Sequence, residues 1–375
     1  MEKLDEILVP GLAPEKTRVV VAMSGGVDSS ATAALLKDQG YDVIGVTLQL
    51  YDHGAAISRP NTCCAGRDIH DARNVADAIG IPHYVLDFEK QFKSDVINAF
   101  ADSYVRGETP VPCVRCNETV KFRDLLEKSR ELGARALVTG HYVRRLVTKD
   151  GPELHMGKDH KRDQSYFLFS MTRDQLDFLR FPLGSLSKDE TRALARRFNL
   201  PVASKADSQD ICFVPEGNYK DVLRKLRPDA MREGEIVDLD GNVLGRHDGT
   251  ANYTVGQRRG LGISAAHPLY VVEIEPELNR VVIGPEDALK KNRLSIGGVN
   301  WLGSVAIPDD GFECAVKLRS TQPPASARVL PTEEGRADVI LTEPQAGIAP
   351  GQACVFYSGE RILGGGWILR DDQPN

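Results

Sequence analysis

The chain has 375 residues, 41% of them hydrophobic and 27% charged, a globular composition too long for one ordinary compact domain, so two or three are expected. A net charge of −6 excludes binding of nucleic acid by overall charge; any RNA must be met by basic residues grouped locally. No apolar run is long enough to span a membrane, and the start MEKLDEILVPGLAPEK lacks the apolar core of a signal peptide, so the cytoplasm is the expected compartment.

In chain order, residues 18–22 form a short β-branched run that reads as a buried strand. Residues 29–39 read as a helix, stopped by Gly40 where left-handed geometry is wanted. A strand over 41–51, a helix over 66–79 ending at Gly80 and a strand over 84–88 follow. Helices are expected over 90–104 and 118–132, and a strand over 136–140. Strands alternating with helices predict an α/β fold, a doubly wound parallel sheet. Further on, Ser187 with Glu190 makes a capping box. Beyond about Pro215 short alternating strands take over, with a hairpin signal at Asp240-Gly241-Asn242. The expected organisation is an α/β domain over residues 1–215, a small β-rich domain over 216–288 and a C-terminal β-barrel or sandwich over 289–375.

The stretch Ser24-Gly25-Gly26-Val27-Asp28-Ser29-Ser30 falls between the first strand and the first helix, where doubly wound sheets bind their ligands. Glycines admit an anion close to the backbone, and helix N-terminal amides and serine hydroxyls donate to it. The stretch is neither G-x-x-x-x-G-K-[ST] nor G-x-G-x-x-G, so kinase-type γ-phosphate transfer and dinucleotide binding lack their signatures. SGGVDS resembles the signature of the PP-loop ATP pyrophosphatases, which grip the pyrophosphate of ATP and adenylate an oxygen atom. The resemblance implies ATP, held through Ala22, Met23, Ser24, Gly25, Gly26, Val27, Asp28 and Ser29, with Asp28 near Mg2+. The motif alone does not choose among synthetases, amidotransferases and tRNA sulfurtransferases.

Seven cysteines, an odd number in a long chain, argue against a disulfide framework. Cys113 and Cys116 are spaced C-x-x-C, Cys116 just before a helix expected to start near Asn117 and next to Arg115, a setting that lowers a thiol pKa. Cys212 lies in KADSQDICFVPEG. Packing, a metal or iron–sulfur site, and a catalytic pair are the readings open to these thiols. Packing is favoured for Cys314 and Cys354, which sit inside apolar strand patterns.

The order SGGVDSS, CCAGRDIHDARNVADAIGIP, TPVPCVRCN, TGHY, KRDQSYFL, DSQDICF, GEIVDLDGNVLGRHDGTANYTVGQRRGLGI, APGQACVFY is similar to the bacterial tRNA-specific 2-thiouridylases over essentially the whole length. The resemblance implies ATP-dependent 2-thiolation of the wobble uridine of tRNA, by adenylation of O2 with release of pyrophosphate. Sulfur then comes from a persulfide on Cys212, and Cys116 is the partner nucleophile that closes a transient disulfide with it. It further implies that Leu48 packs on adenine and that Gly140 lets adenosine approach. It assigns tRNA contacts to His141, Arg162, Asp163, Gln164, Arg319, Ser320 and Gln352, with Gln257-Arg258-Arg259 a further basic loop. The implied partners are lysine, glutamate and glutamine tRNAs and a sulfur donor, a cysteine desulfurase or a relay protein; no resident metal is implied. One departure stands out. Where many relatives read N-P-D-x-x-C-N, this chain carries Val111 and Cys113 in place of the asparagine and the acid/base aspartate. Cys63-Cys64 matches a family feature without a chemical role. Other PP-loop enzymes acting on small molecules, an iron–sulfur-dependent tRNA thiolase and a non-enzymatic RNA-binding module are the alternatives.

Overall fold

The computed structural model describes residues 8–51, 64–207, 211–214, 218–332 and 335–370; Cys63 and residues 208–210 lie outside the described residues. The chain divides into two compact units. The first takes residues 1–95, 115–209 and 360–362, the second 96–114, 210–359 and 363–375.

The first unit is built on five parallel strands in the order β3-β2-β1-β4-β7. They are β1 (Arg18–Ala22), β2 (Asp42–Gln49), β3 (His83–Asp87), β4 (Ala136–Val138) and β7 (Leu179–Arg180). This is the doubly wound sheet expected from the strand–helix alternation. Strand β1 is central, pairing Val19 with Val43 on one side and with Ala136 on the other. Its run Val19-Val20-Val21 has no exposed surface, as a strand covered on both faces requires.

Helix α1 (Val27–Asp38) starts at Val27, two residues before the expected Ser29. It is apolar or small nearly all round, because it is packed between helix α2 (Cys64–Ile79), β2 and a later helix. Gly40 and Gly80 end the two helices at φ +90° and +66°, the left-handed geometry read from the sequence. A hairpin, β5 (Val143–Thr148) and β6 (Gly151–Met156), leaves the head of β4, and residues 361–362 pair with its second strand.

Between β3 and β4 the helical stretch expected to begin at 118 begins at Pro112. Helix α3 (Pro112–Cys116) runs without a break into a wide-turned segment Asn117–Leu125 and then Leu126–Glu131. Cys116 has φ −61° and ψ −42°, so it lies inside a continuous helix and not at a helix N-terminus. Proline at the first helical position explains the earlier start.

In the second unit β8 (Gly234–Val237), β9 (Val243–His247), β10 (Tyr270–Glu275) and β11 (Arg280–Gly284) form one sheet in the order β10-β11-β8-β9. The β8–β9 connection is the hairpin signalled by Asp240-Gly241-Asn242, with Gly241 at φ +84°. The remaining strands are β12 (Lys290–Trp301), β13 (Phe312–Lys317), β14 (Ala325–Pro331), β15 (Arg336–Ala346), β16 (Ala353–Ser358) and β17 (Arg361–Ile368). They run β12-β15-β14-β13-β16-β17, and β17 pairs back onto β12, so the sheet closes into a six-stranded barrel. Cys354 is fully buried and Cys314 half-buried in the barrel core. Burial pushes the Cys314 thiol up to about 12 and Cys354 well above its ordinary value, so both are neutral packing groups.

Segment 96–114 belongs to this second unit. Tyr104 stacks on Tyr219 at 4.6 Å, Phe100 meets Phe213 edge-on at 5.2 Å, and Arg227 pairs with Asp102 at 2.7 Å. The Thr109 N–H donates to the Pro350 carbonyl at 2.7 Å, and Gln352 Nε2 donates to the Thr109 carbonyl at 2.8 Å. Among the described residues no helix is long and apolar enough to cross a membrane.

Candidate nucleotide and sulfur-transfer site

The glycine–serine turn closes on itself. Ser29 Oγ accepts from the Ser24 N–H at 3.1 Å, and Ser30 Oγ donates to the Gly26 carbonyl at 2.8 Å. Gly26 is the N-cap residue of α1, whose first amides and dipole face the turn.

The two glycines are not equivalent. Gly25 has φ +72°, and a Cβ there would stand 2.1 Å from the Asp68 carbonyl oxygen of α2, whereas a Cβ on Gly26 would meet only Ser24 Oγ at 3.5 Å. We expect Gly25→Ala to disrupt the turn, costing at least ~1–2 kcal/mol for the left-handed backbone alone, with the clash on top. Gly26→Ala is expected to fold with near-normal stability; urea unfolding of the two variants measures the difference.

The turn lacks a lysine of its own, yet two lysines from far along the chain reach it. Lys188, the first residue of helix α4 (Lys188–Arg197), follows the capping box of Ser187 and Glu190. Its Nζ donates to both Asp28 carboxylate oxygens at 2.8 and 2.9 Å and lies 2.8 Å from Asp207 Oδ1. Tyr142 Oη donates to Asp28 Oδ1 at 2.8 Å, and Arg162 and Arg192 reach Asp207 at 3.1 and 2.9 Å. Lys205 Nζ donates to the Gly25 carbonyl at 3.0 Å and to Asp68 and Asp71 at 2.7 and 2.5 Å. Neither lysine was flagged by the sequence, and the only signal for Lys188 was the capping box beside it.

Of the other residues singled out, Met23 is buried and its carbonyl accepts from Thr47 Oγ1 at 2.8 Å; Leu48, further along β2, is half-buried. Gly140 packs on the start of α1: a Cβ there would lie 3.0 Å from Asp28 C and Ser29 N. That contact is a sufficient reason for glycine, in addition to any approach by adenosine.

His141 Nδ1 is 2.8 Å from Thr139 Oγ1, and its ring meets Phe122 and Phe181 edge-on at 6.0 and 6.4 Å. Burial, helped by the Lys121 charge, pushes its pKa down to about 3, so the imidazole is neutral and any RNA contact it makes is a hydrogen bond, not an ion pair. Above the unfolded value of about 6.5 both states are neutral. As pH falls from there towards 3 the unfolded chain takes up a proton that the native one refuses, and stability drops by up to ~1.4 kcal/mol per pH unit. Urea titrations between pH 6.5 and 4 are expected to have a flatter pH slope in His141→Phe than in the parent.

Asp163 and Gln164 are engaged within the first unit. Asp163 accepts from the Gly157 and Ser165 N–H groups and from Ser165 Oγ, and Gln164 Oε1 accepts from the Tyr142 N–H at 2.8 Å. They shape the segment whose Arg162 is exposed. In the second unit Arg319 donates to the Gly347 carbonyl, Ser320 is half-buried beside it, and Gln352 holds Thr109. In the basic loop, Gln257 Nε2 donates to the Arg259 carbonyl at 2.9 Å.

Cys116 is 7% exposed, while Cys113 and Cys212 are exposed. Cys113 and Cys116 sit three residues apart on α3, one helical turn, with Arg115 paired to Glu118 at 3.2 Å.

A parallel sheet with a glycine–serine turn at the head of its central strand and a helix N-terminus behind it defines an α/β nucleotide-binding domain, and comparison with known proteins agrees. A family model described as a tRNA methyl transferase HUP domain matches residues 17–216, a tRNA methyl transferase PRC-barrel domain 220–285, and an aminomethyltransferase beta-barrel domain 291–368. The chain is 63% identical over 366 residues to tRNA-specific 2-thiouridylase MnmA of Rhodospirillum centenum, covering 96% of this chain and 93% of that one. It is 59% identical to the Parvibaculum lavamentivorans enzyme of the same name, covering 99% and 95%, and 61% identical to that of Paracoccus denitrificans, covering 95% and 92%. The chain belongs to the tRNA-specific 2-thiouridylase family.

Proposed function

We propose that this chain is an ATP-dependent tRNA-uridine 2-sulfurtransferase working in the cytoplasm on the wobble uridine of lysine, glutamate and glutamine tRNAs. The observation that carries the reading is identity of 59–63% over nearly the whole length of relatives bearing that name. The proposed division is a catalytic domain over 1–215, a small β-rich domain over 216–288 and a tRNA-contacting barrel over 289–375.

In the proposed reaction uridine O2 attacks the α-phosphorus of ATP and pyrophosphate leaves. A urea-like carbonyl is a poor electrophile, and adenylation turns its oxygen into part of a leaving group. Cys212, carrying a terminal persulfide sulfur from a desulfurase or relay protein, presents that sulfur to C2. Cys116 attacks the inner sulfur of Cys212, closing a Cys116–Cys212 disulfide, and AMP departs with the original O2. An external thiol then reduces the disulfide. In this reading residues 22–29 hold the phosphates, Leu48 and Gly140 flank adenosine, and tRNA is contacted by His141, Arg162, Asp163 and Gln164 of the first unit and by Arg319, Ser320 and Gln352 of the second.

Mg2+ would neutralise the polyphosphate. Among the described residues there is no group of three His, Cys, Asp or Glu that could hold a metal ion. A single carboxylate, Asp28, fits an ion that arrives on the nucleotide's phosphates, the usual mode for Mg2+. Lys188 then remains with Asp207, its second partner.

The test is incubation with unmodified tRNA transcript, ATP, a cysteine desulfurase with cysteine as the persulfide source, and a thiol reductant. Equal amounts of 2-thiouridine, pyrophosphate and AMP are expected. Absence of thiolated uridine, or methylated uridine formed with a methyl donor in its place, would refute the reading.

A further inference from the structure

The Gly25–Gly26 peptide is flanked by glycine on both sides, the arrangement in which a peptide plane rotates most easily. A trans peptide points its C=O and N–H in opposite directions, so whichever group faces the nucleotide side, the other faces away. An N–H there attracts a phosphate; a carbonyl repels it.

One side chain settles the choice. Lys205 Nζ donates to the Gly25 carbonyl at 3.0 Å, and its other contacts go to Asp68 Oδ1 at 2.7 Å and Asp71 Oδ2 at 2.5 Å. An ammonium has three donors, and these three acceptors match them. The two carboxylates project from one face of α2, three residues apart, so the ammonium hangs from a fixed bracket. The same Asp68 presses its own carbonyl against Gly25, within 2.1 Å of where a Cβ would stand. Burial lowers the Lys205 pKa, but the hydrogen bonds to Asp68 and Asp71 outweigh it and the net shift is upward, so the lysine stays charged.

We infer that Lys205 is a positioning residue for the reaction: it locks the Gly25–Gly26 peptide plane with the carbonyl turned towards α2, leaving the Gly26 N–H on the opposite side for the phosphates of ATP. The inference rests on the ATP reading proposed above. It gives KADSQDIC a second role, because the lysine that sets the nucleotide turn stands seven residues before Cys212.

The test is steady-state thiolation of tRNA transcript at varied ATP. Lys205→Met is expected to raise the KM for ATP at least tenfold with kcat within threefold, and Lys205→Arg to recover most of that loss. Asp68→Asn combined with Asp71→Asn tells a lock from simple charge. It leaves the ammonium in place and makes the cluster less negative, so charge alone would lower KM for ATP, whereas loss of the bracket raises it about as much as Lys205→Met. A KM within twofold of the parent in Lys205→Met, a fall in kcat without a change in KM, or a lowered KM in the double asparagine variant would each overturn the inference. Should Lys205→Met not fold, the double asparagine variant and Lys205→Arg decide it. Failure of the parent reading is separate, for then the unmodified protein itself would form no 2-thiouridine and release no pyrophosphate.

Discussion

Cys116→Ser and Cys212→Ser are each expected to abolish thiolation of the wobble uridine, while Cys113→Ser keeps measurable activity. A serine hydroxyl can neither carry a persulfide nor cleave one, so losses of at least a thousandfold follow for the two catalytic positions, in the range typical of removing a covalent nucleophile. Cys113 is exposed and one helical turn from Cys116. Residues at that spacing hold their Cβ atoms about 5–6 Å apart, beyond the ~3.5–4.5 Å that a disulfide spans, so an off-path Cys113–Cys116 bond requires α3 to unwind. Liquid chromatography with mass spectrometry of nucleosides from the reacted transcript measures the product, and thermal unfolding confirms that the buried Cys116→Ser still folds. Equal loss in all three variants would sink the assignment and return attention to a metal held by the C-x-x-C pair.

The second large effect is expected at Lys188. Its side chain is 10% exposed and its ammonium sits between the carboxylates of Asp28 and Asp207. Lys188→Met leaves both acids without their shared cation. Breaking a buried pair from one side costs about 3–5 kcal/mol, and the partial exposure of Asp28 puts this case at the lower end, ~3 kcal/mol. ATP-dependent release of pyrophosphate should fall with it, because Asp28 at the first turn of α1 would no longer be held by Lys188 and Tyr142 together. Asp28→Asn keeps the shape and the Tyr142 hydrogen bond but removes the charge. It is expected to unfold less readily than Lys188→Met while losing pyrophosphate release to a similar extent. Denaturant titration and a pyrophosphate assay on both variants separate the stability effect from the functional one.

What the sequence disclosed follows from the range of the forces involved. The buried β1, the left-handed stops at Gly40 and Gly80, the Ser187–Glu190 box and the Gly241 turn are decided by neighbours a few residues away, and each is where local rules place it. Pro112 also obeys a local rule, but Asn117 offers a competing cap, so the helix start read from the sequence falls too late and puts Cys116 at an N-terminus it does not occupy. Lys188 and Lys205 stand 160 and 180 residues from their partners at Asp28 and Gly25. No periodicity or spacing links them, since the link is made only by the winding of the sheet. The helix expected over 90–104 reads as one more of the α/β run, yet from Val96 to Val114 the chain belongs to the second unit. The place of that segment is set by aromatic contacts to Phe213 and Tyr219 and by the carbonyl of Pro350, all distant in sequence. Asp163 and Gln164, read as RNA contacts, point their acceptors at backbone amides, a use that a family motif does not distinguish from binding.

The closure of the barrel by β17 onto β12 has a consequence for synthesis on the ribosome. Until residues 361–368 have emerged, β12 has only one of its two neighbours and the barrel is an open sheet with two bare edges. Those edges last from the completion of β16 at Ser358 to that of β17 at Ile368, but β12 waits for its first partner, β15, through the translation of roughly 35 residues, about 2–7 s at ordinary bacterial elongation rates. The same late strand supplies Arg361 and Ile362 to the hairpin of the first unit, so both units receive their last rung from one stretch of chain. Completion is thus nearly simultaneous, and a messenger truncated just before β17 yields two unfinished units instead of one finished and one missing.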